Sequence, residues 1–267
     1  MRLAIEHETI YRYSAPVSHS VQVLRLTPRA ERQQRVLSWK LQAPGRLSAS
    51  IDAFGNPSHL LVVRQPHSEL KVVVTGTVEI DPPDRAGALP RAVERLSPLM
   101  YLATTPLTQP TAELAAFAAE HLPARVDASG QLLALAEAID ATVIYRPGIT
   151  QAWTTAAQAL EAGYGVCQDH AHLFIACCRS RGIPARYVSG YVDPGEVEYA
   201  ASHAWVDAWL PEQGWVSIDV THHALVTDRH CRLAVGRDYD SASPVRGLRI
   251  GGGEEALHVA VRVLADQ

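Results

Sequence analysis

The chain has 267 residues, 47% hydrophobic and 19% charged, with 24 basic against 28 acidic side chains and a formal net charge of −4. This is a globular balance with enough apolar material for one large domain or two modest ones. It excludes the strongly basic surface of a nucleic-acid binder, and no dense Lys/Arg run supplies one locally.

At the N-terminus, Glu6, His7 and Glu8 interrupt what would have to be the apolar core of a signal peptide. Nowhere do roughly 18 apolar residues run together as a membrane span requires. A cytoplasmic protein with no membrane partner is the expectation. Residues 1–85 alternate at Leu3–Ile5, Val21–Val23 and Val36–Leu41, and again from Glu69 to Ile80, with a turn at Asp52–Pro57. Period-two patterning between turn residues predicts a β-rich domain, a small sandwich or barrel. Residues 86–110 carry Pro, Gly and Ala without strong periodicity and read as a linker.

A core over residues 111–225 opens with helices. Thr111 can N-cap the first, with Leu114, Phe117 and Ala118 at helical spacing. Leu132, Leu135, Ala136, Ile139 and Val143 mark a second, which must stop before Arg146-Pro147-Gly148. A third covers Thr155–Glu161, with Gly163 ending it. A fourth starts at Cys167 and runs to about Arg181, where Gly182 and Pro184 stop it. Residues 226–267 form a tail whose last stretch, Leu257–Leu264, alternates like a strand able to return to the N-terminal sheet.

The chemistry concentrates between Gly163 and Thr221. Of the four cysteines, Cys167, Cys177, Cys178 and Cys231, three lie close together, a poor disulfide framework for this length, so reduced thiols are expected. Cys177 and Cys178 fall inside a helix and read as core. Cys167 follows Gly163-Tyr-Gly-Val and opens the helix, where free N–H groups and the dipole favour a thiolate and could hold an oxyanion. Ser202-His-Ala-Trp-Val-Asp-Ala-Trp209 alternates, placing His203, Trp205, Asp207 and Trp209 on one face. Pro211–Gly214 is a turn, and Trp215–Asp219 returns. With Trp209 opposite Trp215, Trp205 lies opposite Asp219, and His203 and Asp219 are diagonal neighbours on one face. Cysteine at a helix start, then histidine and aspartate on a hairpin, follows the nucleophile, base and orienter logic of acyl transfer.

These stretches, with Tyr145-Arg-Pro-Gly148 and Arg181-Gly-Ile-Pro-Ala-Arg-Tyr-Val-Ser-Gly-Tyr191, make the sequence recognisable over residues 145–222. It resembles the transglutaminase-like superfamily, specifically its bacterial members described as candidate cysteine proteases with a β-rich N-terminal domain. The resemblance implies an α+β, papain-like core: a helix bearing the cysteine, packed on an antiparallel sheet bearing the histidine and aspartate. It implies Cys167 as nucleophile, His203 as base and Asp219 as orienter. Where the family commonly continues Pro-Thr-Asn after the aspartate, this chain has Val220-Thr221-His222.

Two rival readings are set against this. A zinc site could draw on Cys167, His170, His172, His203, His222, His223 and Cys231, but no second tight ligand pair completes a set. His170 and His172 are expected instead at the mouth of the site. A non-catalytic binding module of the same fold should have lost a triad member, and all three are present. The expectation is a cysteine enzyme acting on peptide or glutamine amides through a thioester, hydrolytic by the family's usual description. Transfer to an amine is the alternative. The chemistry needs no cofactor, and a protein or peptide is the expected partner. Tyr164, Tyr191, Tyr199 and Trp205 are candidates to line an acceptor groove. Oligomeric state is not written in any feature of the sequence.

Overall fold

The computed structural model describes residues 1–90, 95–195 and 202–266. The N-terminal strands are β1 (Arg2–Leu24), β2 (Gln34–Gln42), β3 (Arg46–Ile51), β4 (Pro57–Val63) and β5 (His67–Ile80). The two short N-terminal runs of the sequence are one strand, β1. Its pairing with β5 shifts register between Arg12 and Val17. Pro16, which has no N–H to give a ladder, sits in that irregular stretch. The strands form one antiparallel sheet in the order β2-β5-β1-β4-β3, not a sandwich of their own.

The first helix begins where its cap predicts. Thr111 accepts from Leu114 N at 3.2 Å at the start of α1 (Ala112–His121), and α2 (Ser129–Thr142) stops at Val143. Beyond the short strand β6 (Ile144–Tyr145), Thr155 caps α3 (Ala156–Ala162), and Gly163 ends it at φ +70°, a left-handed turn that glycine adopts without a Cβ clash. Then follow β7 (Tyr164–Gly165), α4 (Cys167–Ser180), β8 (Ala185–Val192), β9 (Ser202–Leu210), β10 (Gly214–Asp219), β11 (Ala224–Leu225), β12 (His230–Gly236), α5 (Tyr239–Ala242), β13 (Val245–Gly251) and β14 (Glu255–Asp266). Strands β8 to β12 make a second antiparallel sheet, ordered β11-β10-β9-β8-β12. Helix α4 is buried from Asp169 to Arg179. It packs on the face carrying Ala204, Val206 and Ala208. At the end of this sheet formed by β8 and β12, Tyr191, Cys231 and Leu233 join a core shared with Leu3, Ile5 and Val78 of the N-terminal sheet.

The segments read as linker and tail both make bonds to the sheets. Among the described residues of 86–110, several are hydrogen-bonded to the core. Leu89 N donates to Trp215 O at 2.8 Å and Ser217 N to Gly87 O at 3.0 Å. Buried Arg179 donates to Tyr101 O, Thr108 Oγ1, Ala185 O and Arg237 O, at 2.6–3.0 Å. A buried guanidinium needs that many acceptors, and so it draws the segment in. The tail is also divided: β12 completes the second sheet beside β8, while β13 and β14 pair with β1.

Strand β12 is an edge, and edge groups enclosed between layers need partners. Side-chain amides of the N-terminal half supply them. Gln34 donates to Arg232 O at 2.8 Å and accepts from Arg232 N at 2.7 Å. Asn56 repeats the exchange with Val235, at 2.8 and 2.9 Å. Each amide imitates a strand residue, fixing how the two sheets dock.

Candidate active site

Helix α4 starts at Cys167, with Val166 as the preceding cap residue. Asp169 Oδ2 reaches back to Val166 N at 2.8 Å and accepts from Thr150 Oγ1 at 2.7 Å. This is the carboxylate half of a capping box, and it holds the first turn so that Cys167 leads it. Cys167 is half-buried, whereas Cys177, Cys178 and Cys231 are buried. Burial pushes those three thiols up from their ordinary values.

Trp209 pairs with Trp215 in the β9–β10 hairpin, the register read from the sequence, and Val206 with Ile218. The next positions bring His203 and Asp219 together: His203 Nε2 donates to Asp219 Oδ2 at 2.9 Å. The Cys167 thiol lines the same cleft as this imidazole and favours its charged form. Burial disfavours a charge on His203, but the hydrogen-bonded Asp219 and the Cys167 thiol outweigh that and push its pKa up to about 10. Asp219 is also buried, which alone would raise its pKa. Donors from His203, His222 and His230 hold it well below the usual carboxylate range.

His230 is the site residue that sequence reasoning missed. Its Nε2 donates to Asp219 Oδ2 at 3.1 Å, while its Nδ1 accepts from Thr227 N at 3.2 Å, which fixes the tautomer. The imidazole also lies edge-on to Trp205, 5.4 Å between centroids. Nothing local in the sequence marks it, since it stands in the tail beyond an irregular loop. His222 gives Asp219 Oδ2 a third donor at 2.7 Å from Nδ1.

The remaining candidate ligands of a zinc site are not gathered. His170 Nε2 donates to Val143 O at 2.7 Å. His172 Nε2 accepts from Tyr239 N at 3.0 Å. Both rings are buried, packed in the core rather than at the mouth of the site, because α4 is covered on the turns that carry them. His223 lies 3.7 Å from Asp140, and Cys231 is in the core between the sheets. Among the described residues, His203, Asp219 and His222 each bring a ligand-type atom within 4.8 Å of the others. All three are joined there by hydrogen bonds.

A cleft of about 260 Å3 opens over Cys167 and His203. Its aromatics are Tyr11, Tyr187 and Tyr239, not the set expected from sequence. Tyr191 is buried and bonded to His7 Nδ1 at 2.6 Å. Trp205 is buried, Tyr164 is exposed beneath Arg146, and Tyr199 lies outside the described residues. A larger cavity, about 700 Å3, lies at the other end of the hairpin around Trp209 and Trp215, and its described lining holds no cysteine or histidine.

Gly190 pairs with His203 across β8 and β9. A methyl group there would lie 2.2 Å from Cys231 O and 2.4 Å from the Trp205 ring. Gly190→Ala is therefore expected to cost about 1–3 kcal/mol and to slow Cys167 alkylation by displacing Trp205 and its neighbour His203. Urea denaturation and alkylation rates check this, and a variant of wild-type stability and reactivity contradicts it.

Residues 3–79 match the bacterial transglutaminase-like N-terminal region, and residues 116–220 match the core of the transglutaminase-like superfamily. The chain belongs to the transglutaminase-like superfamily. Within it, an uncharacterized protein of Mycobacterium leprae is 31% identical over 98% of both chains. One from Mycobacterium tuberculosis is 33% identical over 96% of this chain and 90% of its own. A 101-residue stretch, 33% of this chain and 15% of the relative, is 35% identical to a protein-glutamine gamma-glutamyltransferase of Pseudomonas aeruginosa. The solved structure of a candidate cysteine protease from Cytophaga hutchinsonii shares the fold, with a TM-score of 0.78 over 100% of this chain and 92% of that one at 23% identity. Among the described residues of this transglutaminase-like chain, no helix is long and apolar enough to cross a membrane.

Proposed function

We propose that this superfamily member is a cysteine acyl-transfer enzyme that hydrolyses peptide or glutamine amides, with Cys167 as nucleophile, His203 as general base and acid, and Asp219 as orienter. The observation that carries this is the His203–Asp219 hydrogen bond, with Cys167 and His203 lining one cleft. Cys167 sulfur attacks the amide carbonyl carbon as a thiolate, its proton having passed to His203. The oxyanion lies against the first-turn N–H of Cys167, a group that a helix start leaves without an intrahelical partner. As the tetrahedral intermediate collapses, the C–N bond breaks and the His203 imidazolium gives its proton to the leaving nitrogen. Water then attacks the thioester with His203 as base, releasing a carboxylate and restoring the thiol–imidazole pair.

Four free cysteines suit a reducing compartment such as the cytoplasm. Transfer of the acyl group to an amine is the second reading, favoured by the stretch shared with a protein-glutamine gamma-glutamyltransferase. Iodoacetamide labelling of the native chain, read by peptide mass spectrometry, tests the nucleophile. Cys167 alone is expected to label fast near neutral pH, and His203→Ala to slow it. Labelling of Cys167 no faster than the other three cysteines refutes the assignment. Ammonia release from a glutamine peptide, with and without a primary amine, then separates hydrolysis from transfer: a product carrying the amine in place of the acid selects transfer.

A further inference from the structure

The cleft over Cys167 has walls from both halves of the chain. The catalytic half contributes Val166, Tyr187 and Gly190. Facing them are Tyr11 of β1, Val245 of β13, and Leu257 and Val259 of the last strand, β14. Strand β14 lies antiparallel on β1, with Leu257 opposite Tyr11 and Val259 opposite Thr9, so these side chains share one face. Farther along that face, Val263 is buried in the core between the sheets, 4% exposed. Toward the cleft the apolar stripe continues but loses its cover: Val259 is 45% exposed and Leu257 55%. No Asp, Glu, Lys or Arg is among the described lining residues. The volume, about 260 Å3, falls below the roughly 300–1,000 Å3 of small-molecule pockets and is on the scale of one large side chain.

We infer that Leu257 and Val259, with Tyr11 and Val245, form a specificity pocket for a large apolar side chain flanking the reacting carbonyl of a peptide substrate. This deepens the proposed acyl-transfer reading and rests on it. An apolar side chain of the leucine, methionine or phenylalanine class covers the exposed end of the stripe. A charged one would lose its hydration against these apolar side chains, and Glu255, next along the same face, is already paired with Arg249. The N-terminal region and the last strand thereby join the substrate-binding surface rather than standing apart as an accessory.

Peptidyl vinyl sulfones carrying Leu, Glu or Lys next to the reactive group test this on the full chain. Each labelling rate at Cys167 is divided by the iodoacetamide rate of the same protein. The Leu compound is expected to lead the Glu and Lys compounds by about 10–100-fold, the scale of burying one such side chain. In Leu257→Lys, a substitution at an exposed position, the ratio of Glu to Leu compound is expected to rise at least about tenfold. Equal normalised rates for the three compounds, or an unchanged order in Leu257→Lys, overturns the pocket while leaving Cys167 as the nucleophile. Failure of iodoacetamide itself to label Cys167 overturns the nucleophile and the pocket together.

Discussion

Asp219→Asn is expected to lower turnover by about 10^3–10^4-fold, the scale seen when a triad carboxylate becomes an amide. In this chain the loss has two parts. Three imidazoles converge on Asp219 Oδ2, from His203, His222 and His230, at 2.7–3.1 Å. An amide has one oxygen and no charge, so it cannot satisfy all three donors or stabilise the imidazolium. The second part is the protonation of His203. With the carboxylate gone, burial is left opposed by Cys167 alone, and the His203 pKa falls from about 10. An NMR titration of the His203 ring reads this apart from turnover, and an unchanged midpoint in Asp219→Asn would remove the orienter role. The pH dependence of stability follows with opposite signs for the two partners. His203 is raised in the folded chain, so its contribution is full below about 6.5 and is lost as pH rises through about 10. Asp219 is lowered, so its contribution holds above about 4 and is lost as pH falls through its folded value.

Asp207→Ala is expected to cost about 3–5 kcal/mol, a large share of the 5–15 kcal/mol that holds a typical domain folded. Asp207 is fully buried between two buried arginines. It accepts from Arg186 Nε at 2.8 Å and from Arg232 Nη1 at 3.0 Å, with a second contact from Arg232 Nη2. Ser217 Oγ adds a bond at 2.7 Å. Burial alone would raise its pKa, but Arg232 and Arg186 hold it down at about 2. Arg232 continues to Glu31 at 3.1 Å, so the network crosses from the second sheet into the N-terminal half. Removing the carboxylate takes from two buried guanidinium groups the anion they share. Chemical denaturation measures the loss. Arg12→Ala, which breaks an exposed pair with Glu69, is the control, expected within about 1 kcal/mol of wild type. Equal effects of the two substitutions would contradict the buried-network account.

The elements that sequence periodicity marks clearly are those that local physics decides. Thr111 and Thr155 cap helices where they stand, and Gly163 ends one, because a cap needs only its own neighbouring amides. The hairpin was legible for the same reason. Once Pro211–Gly214 turns the chain, alternation permits one register, Trp209 against Trp215, and that register places His203 beside Asp219. Cys167 at the head of α4 likewise follows from the glycines before it and the apolar spacing after it.

The remainder depended on partners far along the chain. His230 reaches Asp219 only because β12 takes the edge beside β8, and no periodicity says which edge a tail strand will join. Residues 86–110 look like a linker until Arg179 collects their carbonyl and hydroxyl groups. Gln34 and Asn56 look like ordinary polar residues until they complete the edge of β12. By itself the sequence determined where Cys167, His203 and Asp219 stand, since each is positioned by a short-range rule of helix, turn or strand. Only the tertiary structure decided what surrounds them: the further histidines on Asp219 and the wall of β14 across the cleft. Those contacts join residues up to about 250 positions apart, and such pairings are selected by the packing of whole sheets, not by local pattern.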